Sequence, residues 1–377
     1  MNVNERARRA LEKAFAWSAA RNYEGWDPYD ALNSPFADSF SLGTKYGRIA
    51  LTQLLRRSSV NLRRALLIKP GLNPKALGLF LEAFTKTKRF QEGREIVAKL
   101  AELRSEASGS AWGYNFPWQN RFQLLPARTP TAVNTSFIGN ALLDYYEATN
   151  DQRAIDLATS IPNFFLNDLR RKNFKDGSFC FSYTPLDDNY VHNANLLAAA
   201  LLTRLALDYG VDGALAPALE AARYSLLRQN DDGSWFYAER KEQRWIDSFH
   251  TGFNLEAIRR ISERVRDKEY ADALAKGTRF YAENFVQSDG VPKYYSDKSY
   301  LVDIHAPTEL IYYFSGEGDA YAELVQNVLL WTLDNMFDEN EGVFYFRKKG
   351  NRVIKTPYMR WSQAWGVRAL AEFLYRV

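Results

Sequence analysis

Apolar residues recur along most of this chain with the period of about 3.6 residues that is typical of α-helices. Five helical segments are apolar on most faces, and they begin near Thr131, Val191, Ser248, Ile304 and Arg360. Segments between them are amphipathic, over residues 152–169, 213–228, 268–285 and 320–336. A helix that is apolar on most faces is buried on most sides, whereas an amphipathic helix keeps one face in water. The pattern therefore predicts inner helices that alternate with outer ones.

Short aromatic stretches follow glycine-containing turns at regular intervals. The turns Asp176-Gly177, Asp232-Gly233, Asp289-Gly290 and Glu341-Gly342 recur with a period of about 55 residues. Each is followed by closely spaced aromatic residues, as in Phe179-Cys180-Phe181, which indicates very short strands. We expect these strands to form small hairpins at one rim of the protein.

The repeated unit leads to a fold. Residues 73–87 and 90–106 supply a sixth inner and outer pair, and a helix over residues 5–21 is a natural partner for the C-terminal helix. The predicted fold is an all-α (α/α)6 toroid with short β-hairpins at one rim, forming a single domain over residues 1–377. Segment 22–70 fits least well and is compatible with a seventh hairpin. An open α-solenoid is the alternative, because repeat spacing alone does not show closure.

The composition is that of an ordinary globular protein. Of 377 residues, 46% are hydrophobic and 25% are charged, and the net charge of +4 is small. The single cysteine, Cys180, excludes an internal disulfide and a metal site with two cysteines. Basic clusters such as Arg56-Arg57 and Arg63-Arg64 are predicted to be solvated helix faces rather than a nucleic-acid surface. No transmembrane segment and no signal peptide are visible, so we expect a cytoplasmic protein.

The three histidines all fall at the start of successive inner helices. His192, His250 and His305 recur with nearly the same period as the glycine turns, and similar steps lead back to Asn134 and on to Trp361. Inner-helix N-termini line the mouth of a toroid's central cavity, so we expect these five residues to share one cavity. The alternative is that each residue only caps its helix. Neighbouring hairpins lie too far apart for one tetrahedral site, so no metal and no cofactor are expected.

Other polar and aromatic residues accompany the histidines. Asp247 and Asp303 precede two of them by three and two residues, and Asn195, Asn254 and Glu309 follow within one helical turn. The rim stretches and the last inner helix add Tyr114, Trp118, Arg121, Tyr183, Trp235, Tyr294 and Arg360. A sugar ring packs its C–H face on an aromatic side chain while its hydroxyls need polar partners. The set therefore predicts a saccharide-binding site.

Six strings in this sequence resemble a bacterial family, the VpsJ-like polysaccharide biosynthesis proteins. They are GYNFPWQNRF (113–122), FSYTPLDDNYVHNANLL (181–197), DGSWFY (232–237), WIDSFHTGFNLEA (245–257), DIHAPTE (303–309) and YMRWSQAW (358–365). The resemblance covers nearly the whole chain and implies a six-hairpin carbohydrate-active protein that makes or modifies a surface polysaccharide. It brings no established reaction and no agreed catalytic residues.

Three functions remain open at this point. In the first, a histidine or Tyr183 removes the C5 proton of a uronic acid, while Asn134, Arg121 or Arg360 neutralises its carboxylate, as in a lyase or an epimerase. In the second, an inverting glycosidase uses two carboxylates. The candidates are Asp27, Asp30, Asp187, Asp188, Asp247, Asp303 and Glu309. In the third, the toroid only binds a saccharide or a lipid-linked intermediate, or scaffolds a synthase complex.

We favour the first function. The catalytic candidates are His192, His250, His305, Asp247, Asp303 and Tyr183. The expected partner is an oligosaccharide or polysaccharide precursor, with other polysaccharide-synthesis proteins as further candidates and no nucleic acid.

Overall fold

The computed structural model describes residues 2–299 and 301–375. Within them the chain forms fourteen α-helices: α1 (Val3–Ala19), α2 (Ala37–Ser41), α3 (Lys45–Arg57), α4 (Pro74–Lys86), α5 (Phe90–Glu102), α6 (Ala132–Thr149), α7 (Gln152–Asn163), α8 (His192–Tyr209), α9 (Leu215–Leu226), α10 (Ser248–Val265), α11 (Lys268–Phe285), α12 (His305–Ser315), α13 (Ala322–Met336) and α14 (Trp365–Tyr375). None of the helices in the described ranges is both long enough and apolar enough to cross a membrane.

Six of these helices form a closed inner ring. Helices α4, α6, α8, α10, α12 and α14 each pack against the next, and α14 packs against α4. The outer helices α5, α7, α9, α11 and α13 each pack on the inner helix that precedes them, and α1 packs on α14. The predicted (α/α)6 toroid is therefore confirmed, and the open solenoid is excluded because the first and last inner helices touch.

Short strands lie at one rim, as expected. They are β1 (Glu24–Gly25), β2 (Gly71–Leu72), β3 (Trp118–Gln119), β4 (Leu124–Leu125), β5 (Arg171–Asn173), β6 (Phe179–Phe181), β7 (Val302–Asp303), β8 (Phe337–Asp338), β9 (Val343–Phe344), β10 (Arg347–Lys349) and β11 (Arg352–Ile354). Four antiparallel pairs form, β1–β2, β3–β4, β5–β6 and β8–β9, together with the three-stranded sheet β11-β10-β7.

One backbone hydrogen bond repeats around this rim and marks equivalent positions. The first residue of an inner helix or of its leading turn donates its N–H to a carbonyl of the next rim stretch. The pairs are Ala132 to Tyr183 (3.0 Å), His192 to Tyr237 (3.2 Å), Ser248 to Tyr294 (3.0 Å), Ile304 to Phe346 (3.1 Å) and Met359 to Trp26 (3.2 Å). The last pair joins the final inner helix to the N-terminal part of the chain, so the ring also closes through its backbone at this rim.

Segment 22–70 is not a seventh hairpin of the ring. It contains β1, a 3₁₀ turn over Asp30–Asn33 and the helices α2 and α3, which pack on each other and on that turn. Its apolar side chains form a small separate cluster: Ala31, Ala37, Leu51, Leu55 and Ile68. Two buried ion pairs hold it, Arg63 with Asp30 at 2.7 Å and Arg360 with Asp27 at 2.6 Å. That the whole chain is one domain stays a prediction.

Candidate active site

The first turns of the inner helices meet at the rim that carries the strands, and we call this place the mouth. We count the residue that donates the repeated hydrogen bond as the first position of its inner helix; in α4 the first position is the residue after the N-cap Asn73. The second positions are then Lys75, Val133, Asn193, Phe249, His305 and Arg360. The third positions are Ala76, Asn134, Ala194, His250, Ala306 and Trp361. Polar and aromatic residues therefore form most of the mouth. Apolar residues at the same positions would stabilise the fold equally well.

His250 and Asp247 form a hydrogen-bonded pair at the mouth. Asp247 is the N-cap of α10, and its Oδ1 accepts from the His250 backbone N–H at 3.0 Å. Its Oδ2 lies 2.7 Å from His250 Nδ1 and accepts from Trp245 Nε1 at 3.0 Å. A carboxylate on Nδ1 keeps the proton there, so Nε2 carries the lone pair. No described residue bonds Nε2, and the His250 side chain is 21% exposed. The hydrogen bond orients the ring and leaves Nε2 free to accept a proton.

His305 lies in the same place in a different environment. Its ring stacks on Trp361, with centroids 3.9 Å apart, and meets the edge of Trp365 at 4.9 Å. The residue is buried, and neither ring nitrogen has a partner among the described residues. Burial, together with the nearby cations Lys75 and Arg360, lowers the pKa of His305 well below its usual value. His305 is therefore a neutral imidazole with two free polar atoms.

Lys75 was not among the expected site residues. Its Nζ lies over three rings, at 4.4 Å from the centroid of Phe137, 5.2 Å from Trp365 and 5.3 Å from Phe253. Burial, followed by Arg360 and Arg368, lowers the pKa of this amine well below its ordinary value. An anion bound beside it would favour the protonated form again. The repeat does not single out Lys75, because the residue of α4 that is equivalent to Asn134 is Ala76.

Arg56 is the second unexpected basic residue, and segment 22–70 brings it to the mouth. Its guanidinium lies 4.7 Å from the ring centroid of Tyr29 and 6.0 Å from that of Trp361. No carboxylate of the described residues lies within salt-bridge distance of it. The sequence placed Arg56 in a basic cluster that looked like a solvated face, so its position gave no signal. The mouth thus holds two basic groups, Arg56 and Lys75, that no described carboxylate pairs.

The aspartates around the mouth are already engaged. Asp27 accepts two hydrogen bonds from Arg360, at 2.6 and 2.8 Å, and one from the Tyr29 backbone N–H at 3.0 Å. Asp303 accepts from Trp361 Nε1 at 2.7 Å, from the His305 backbone N–H at 3.2 Å and from Arg347 Nε. These carboxylates position other side chains, and Arg360 is held by Asp27 rather than free.

A charged cluster fills the ring beneath the mouth. Arg368 donates to Glu82 at 2.7 Å, to Glu256 at 2.7 Å and to Glu309 at 3.4 Å. Gly252 makes room for Glu309, because a Cβ there would lie 2.3 Å from Glu309 Cγ. Burial and the nearby Glu256 raise the pKa of Glu309 well above its usual range. One oxygen of this carboxyl has no partner among the described residues, so Glu309 has hydrogen-bonding capacity to spare.

Tyrosines and amides complete the mouth. The Tyr114 and Tyr183 hydroxyls are 3.4 Å apart, and Trp118 lies 6.3 Å from the Tyr183 ring. Burial raises the pKa of Tyr114, and it raises the pKa values of Tyr183 and Tyr294 well above ordinary, so all three are neutral donors. Buried polar side-chain atoms normally have partners. Both side-chain polar atoms of Asn134 and Oδ1 of Asn254 have none among the described residues.

Four expected site residues lie elsewhere. His192 faces the outer helix α9, with Nδ1 3.1 Å from Ser225 Oγ of that helix and Nε2 3.0 Å from Glu239 of the following rim stretch. Asn195 donates to the Ala221 carbonyl of α9 at 2.6 Å, and Trp235 donates to the Ser225 carbonyl at 2.8 Å. Arg121 is exposed on the loop between β3 and β4. Among the described residues no three His, Cys, Asp or Glu side chains are grouped to hold a metal ion.

Known structures share this architecture at low sequence identity. A cellobiose 2-epimerase from Bacillus thermoamylovorans is 15% identical, with a TM-score of 0.60, over 81% of this chain and 88% of its own. An unsaturated glucuronyl hydrolase specific for heparin is 12% identical, with a TM-score of 0.62, over 98% and 96%. A GH76 α-mannanase from Bacteroides thetaiotaomicron is 10% identical, with a TM-score of 0.59, over 80% and 86%.

These likenesses show the fold. The chain has the six-hairpin toroid of these carbohydrate-active proteins. No family model matches the chain, and no curated protein matches it by sequence. The resemblance to the VpsJ-like family stays a prediction, and the chemistry has to be argued from the mouth itself.

Proposed function

We propose that this protein is a carbohydrate-modifying enzyme that removes the C5 proton of a uronic acid residue, with His250 as the base. The observation that carries the proposal is the Asp247–His250 pair, which leaves Nε2 open at a mouth that also holds the unpaired basic groups Arg56 and Lys75. Histidine is the usual general base of enzymes, and an oriented one contributes about 10²–10⁴-fold in rate. Asp247 is then a positioning residue.

The step is a proton transfer whose charge the mouth can balance. The C5–H bond breaks, the proton moves to His250 Nε2, and the electron pair delocalises onto the neighbouring carboxylate. Arg56 would stabilise that added negative charge, as would Lys75 once a bound carboxylate favours its protonated form, and such charges are worth more in a buried site than in water. Loss of the C4 substituent gives elimination, whereas return of a proton to the opposite face gives epimerisation. Tyr294 is the candidate proton donor: its hydroxyl would give a proton to the leaving C4 oxygen in elimination or to C5 in epimerisation.

The structural neighbours support a saccharide substrate. A sugar epimerase and a glucuronyl hydrolase with this architecture act on saccharides, as their names state. The resemblance to VpsJ-like proteins adds a surface polysaccharide or its precursor as the substrate, and other polysaccharide-synthesis proteins as partners.

A glycosidase is the second candidate, and the likeness to a GH76 α-mannanase favours it. An inverting glycosidase needs two carboxylates that are free to bind water and the leaving oxygen. Asp27 and Asp303 are held by arginines, and Asp187 is held by Thr184 at 2.7 Å. Glu309 keeps one oxygen without a described partner, but a single such carboxyl does not make the pair that an inverting glycosidase needs, so this candidate is the weaker one.

Deuterium exchange in D₂O tests the proposal without knowledge of the product. The purified protein is incubated with oligosaccharides of glucuronate, mannuronate or guluronate, and with matched neutral reducing disaccharides. We expect NMR and mass spectrometry to detect deuterium at C5 of one uronate, or an unsaturated product. Deuterium at C2 of a neutral sugar would show that the substrate is an aldose rather than a uronate. New reducing ends without deuterium would favour the glycosidase.

Arg56 tests the charge of the substrate. Arg56→Gln removes an unpaired cation from the mouth, and we expect at least ten-fold weaker binding of the uronate, with little change for a neutral analogue, measured by calorimetry. Arg121→Gln is the matched control, because that arginine is exposed on a loop. Equal affinity of wild type and Arg56→Gln for the uronate would show that Arg56 does not bind the substrate.

A further inference from the structure

Segment 34–69 carries more positive charge than the whole chain. It contains seven basic residues, Lys45, Arg48, Arg56, Arg57, Arg63, Arg64 and Lys69, and one acidic residue, Asp38. Its net charge is thus +6, while the whole chain has +4, so all other residues together sum to −2. Lys45, Arg57, Arg64 and Lys69 are exposed, and no described carboxylate lies within salt-bridge distance of them. Arg63 is buried against Asp30 and Arg56 lies at the mouth, so these four residues carry the exposed, unpaired positive charge of the segment.

The same segment exposes most of the bulky apolar side chains that face solvent. Of the thirteen exposed large hydrophobic residues in the described ranges, eight lie between positions 36 and 67. They are Phe36, Phe40, Leu42, Tyr46, Leu54, Val60, Leu62 and Leu67. Single exposed apolar residues are normal, but a concentration of them marks an interaction surface.

The local structure shows that this exposure is built into the segment. In α3, Leu51 and Leu55 pack into the small cluster, while Tyr46 and Leu54 lie on the outer side at 78% and 63% exposure. Leu42 is 83% exposed and has a φ of 53°, in the left-handed region that favours glycine or asparagine. An exposed leucine in that conformation gains nothing from the fold of this chain.

We propose that segment 34–69, the basic face, binds the surface of an anionic phospholipid bilayer. Bulky apolar side chains that enter the headgroup region, surrounded by lysines and arginines, are the combination that peripheral membrane segments use. Nucleic acid would be contacted by the cations and would leave the leucines and phenylalanines in water. The inference goes beyond the proposed function and does not depend on it.

The basic face adjoins the mouth. Arg56 lies at the mouth, whereas Leu54 and Arg57 of the same helix α3 are exposed. A bilayer on the basic face would therefore lie beside the entrance to the candidate site, which suits a saccharide that is carried on a lipid.

Vesicle flotation tests the inference with the full-length protein. We expect it to float with vesicles of phosphatidylcholine and phosphatidylglycerol, at least ten-fold more than with phosphatidylcholine alone, and to be released by high salt. The double variant Phe40→Ser/Leu42→Asn should lose at least ten-fold in binding. The matched control, Leu207→Ser/Leu227→Ser, removes two apolar side chains that are 46% and 47% exposed outside the basic face and should bind as wild type does.

Several results would overturn the inference. Equal flotation with neutral and anionic vesicles would do so, as would equal binding of the two double variants. Thermal midpoints of both variants within a few degrees of wild type ensure that loss of binding is not loss of folding. If the wild type ignores vesicles but forms a dimer that Phe40→Ser/Leu42→Asn dissolves, the basic face joins two copies of the chain instead.

Discussion

The third and fourth inner helices, α8 and α10, begin in the same way and place their histidines on opposite sides. Val191 and Asp247 precede them with nearly the same φ, −123° and −122°. His192 is the first residue of α8, and His250 is the third residue of α10. Each residue turns an α-helix by about 100°, so two positions correspond to about 200°. His192 therefore faces the outer helix α9, whereas His250 faces the mouth.

The difference teaches how a repeat has to be counted. The interval between the two histidines looks like one full repeat, but the position in α8 that is equivalent to His250 is Ala194, two places after His192. A shift of two residues is small compared with the length of a repeat, but it is more than half of one helical turn. The direction in which a side chain points is set by its distance from the repeated hydrogen bond at the rim.

The largest effect expected from this comparison is on catalysis. His250→Asn removes the candidate base, and we expect deuterium exchange into the substrate to fall at least 10²-fold, with little change in thermal midpoint. His192→Asn is the matched substitution in α8, and its folded fraction should keep the wild-type rate within a few-fold. Equal loss of exchange in both variants would mean that the two histidines act together.

The second-largest loss of deuterium exchange is expected from a substitution of Asp247. Asp247→Asn keeps a good N-cap for α10, because asparagine caps helices as well as aspartate does. It removes the carboxylate that holds the proton on His250 Nδ1, so exchange should fall on the order of 10²-fold while helix content is unchanged. Circular dichroism and the exchange rate together check this. Thr131→Ala removes the corresponding cap of α6 and should cost about 1 kcal/mol of stability without changing the catalytic step.

His192 has the opposite expected profile. Its ring bonds Ser225 and Glu239 and stacks on Tyr224, with centroids 5.3 Å apart. His192→Ala removes two side-chain hydrogen bonds and leaves a gap, so we expect a loss of about 1–3 kcal/mol in the free energy of unfolding. Urea unfolding measures it. A change as small as that of an ordinary surface substitution would show that His192 does not stabilise the contact between α8 and α9.

The smallest effect concerns pH. Burial lowers the pKa of His192 below its ordinary value of 6.5. At this histidine the unfolded chain then binds a proton more readily than the folded chain does. The contribution of the neutral His192 to the free energy of unfolding is therefore complete above about pH 7.5 and decreases as the pH falls through 6.5. His192→Gln should lose less stability than wild type between pH 7.5 and 5.5, as measured by urea unfolding. A parallel decline in both proteins would assign the slope to other groups, of which His305 is the first candidate.

The helices were predictable because their cause is local. Segments apolar on most faces became the inner ring, and aromatic stretches after glycine turns became the rim strands. Closure of the inner ring was harder to predict from the sequence, since it depends on contacts between residues that are distant in the chain. Met359 bonds Trp26, and Arg368 bonds Glu82 across 286 residues of sequence. No local pattern reports such a contact.

The candidate site was predictable only in part. Asn134, His250, His305 and Trp361 meet at the mouth because the period of the repeat brings them there. Lys75 resembles any lysine near a helix start, and only the aromatic rings around its Nζ distinguish it. Arg360 was expected to hold a substrate carboxylate, but the distant Asp27 occupies it.

Arg368 lies on the last inner helix, which gives it a role in the timing of folding. Its three carboxylate partners, Glu82, Glu256 and Glu309, are all synthesised before it. At about 5–20 residues per second, roughly 15–60 s separate Glu82 from Arg368 on the ribosome. Throughout that time Glu82 has no guanidinium partner, and burying it unpaired is costly. The charged core of the toroid is therefore complete only once Arg368 has been synthesised, unlike that of a solenoid, which grows repeat by repeat.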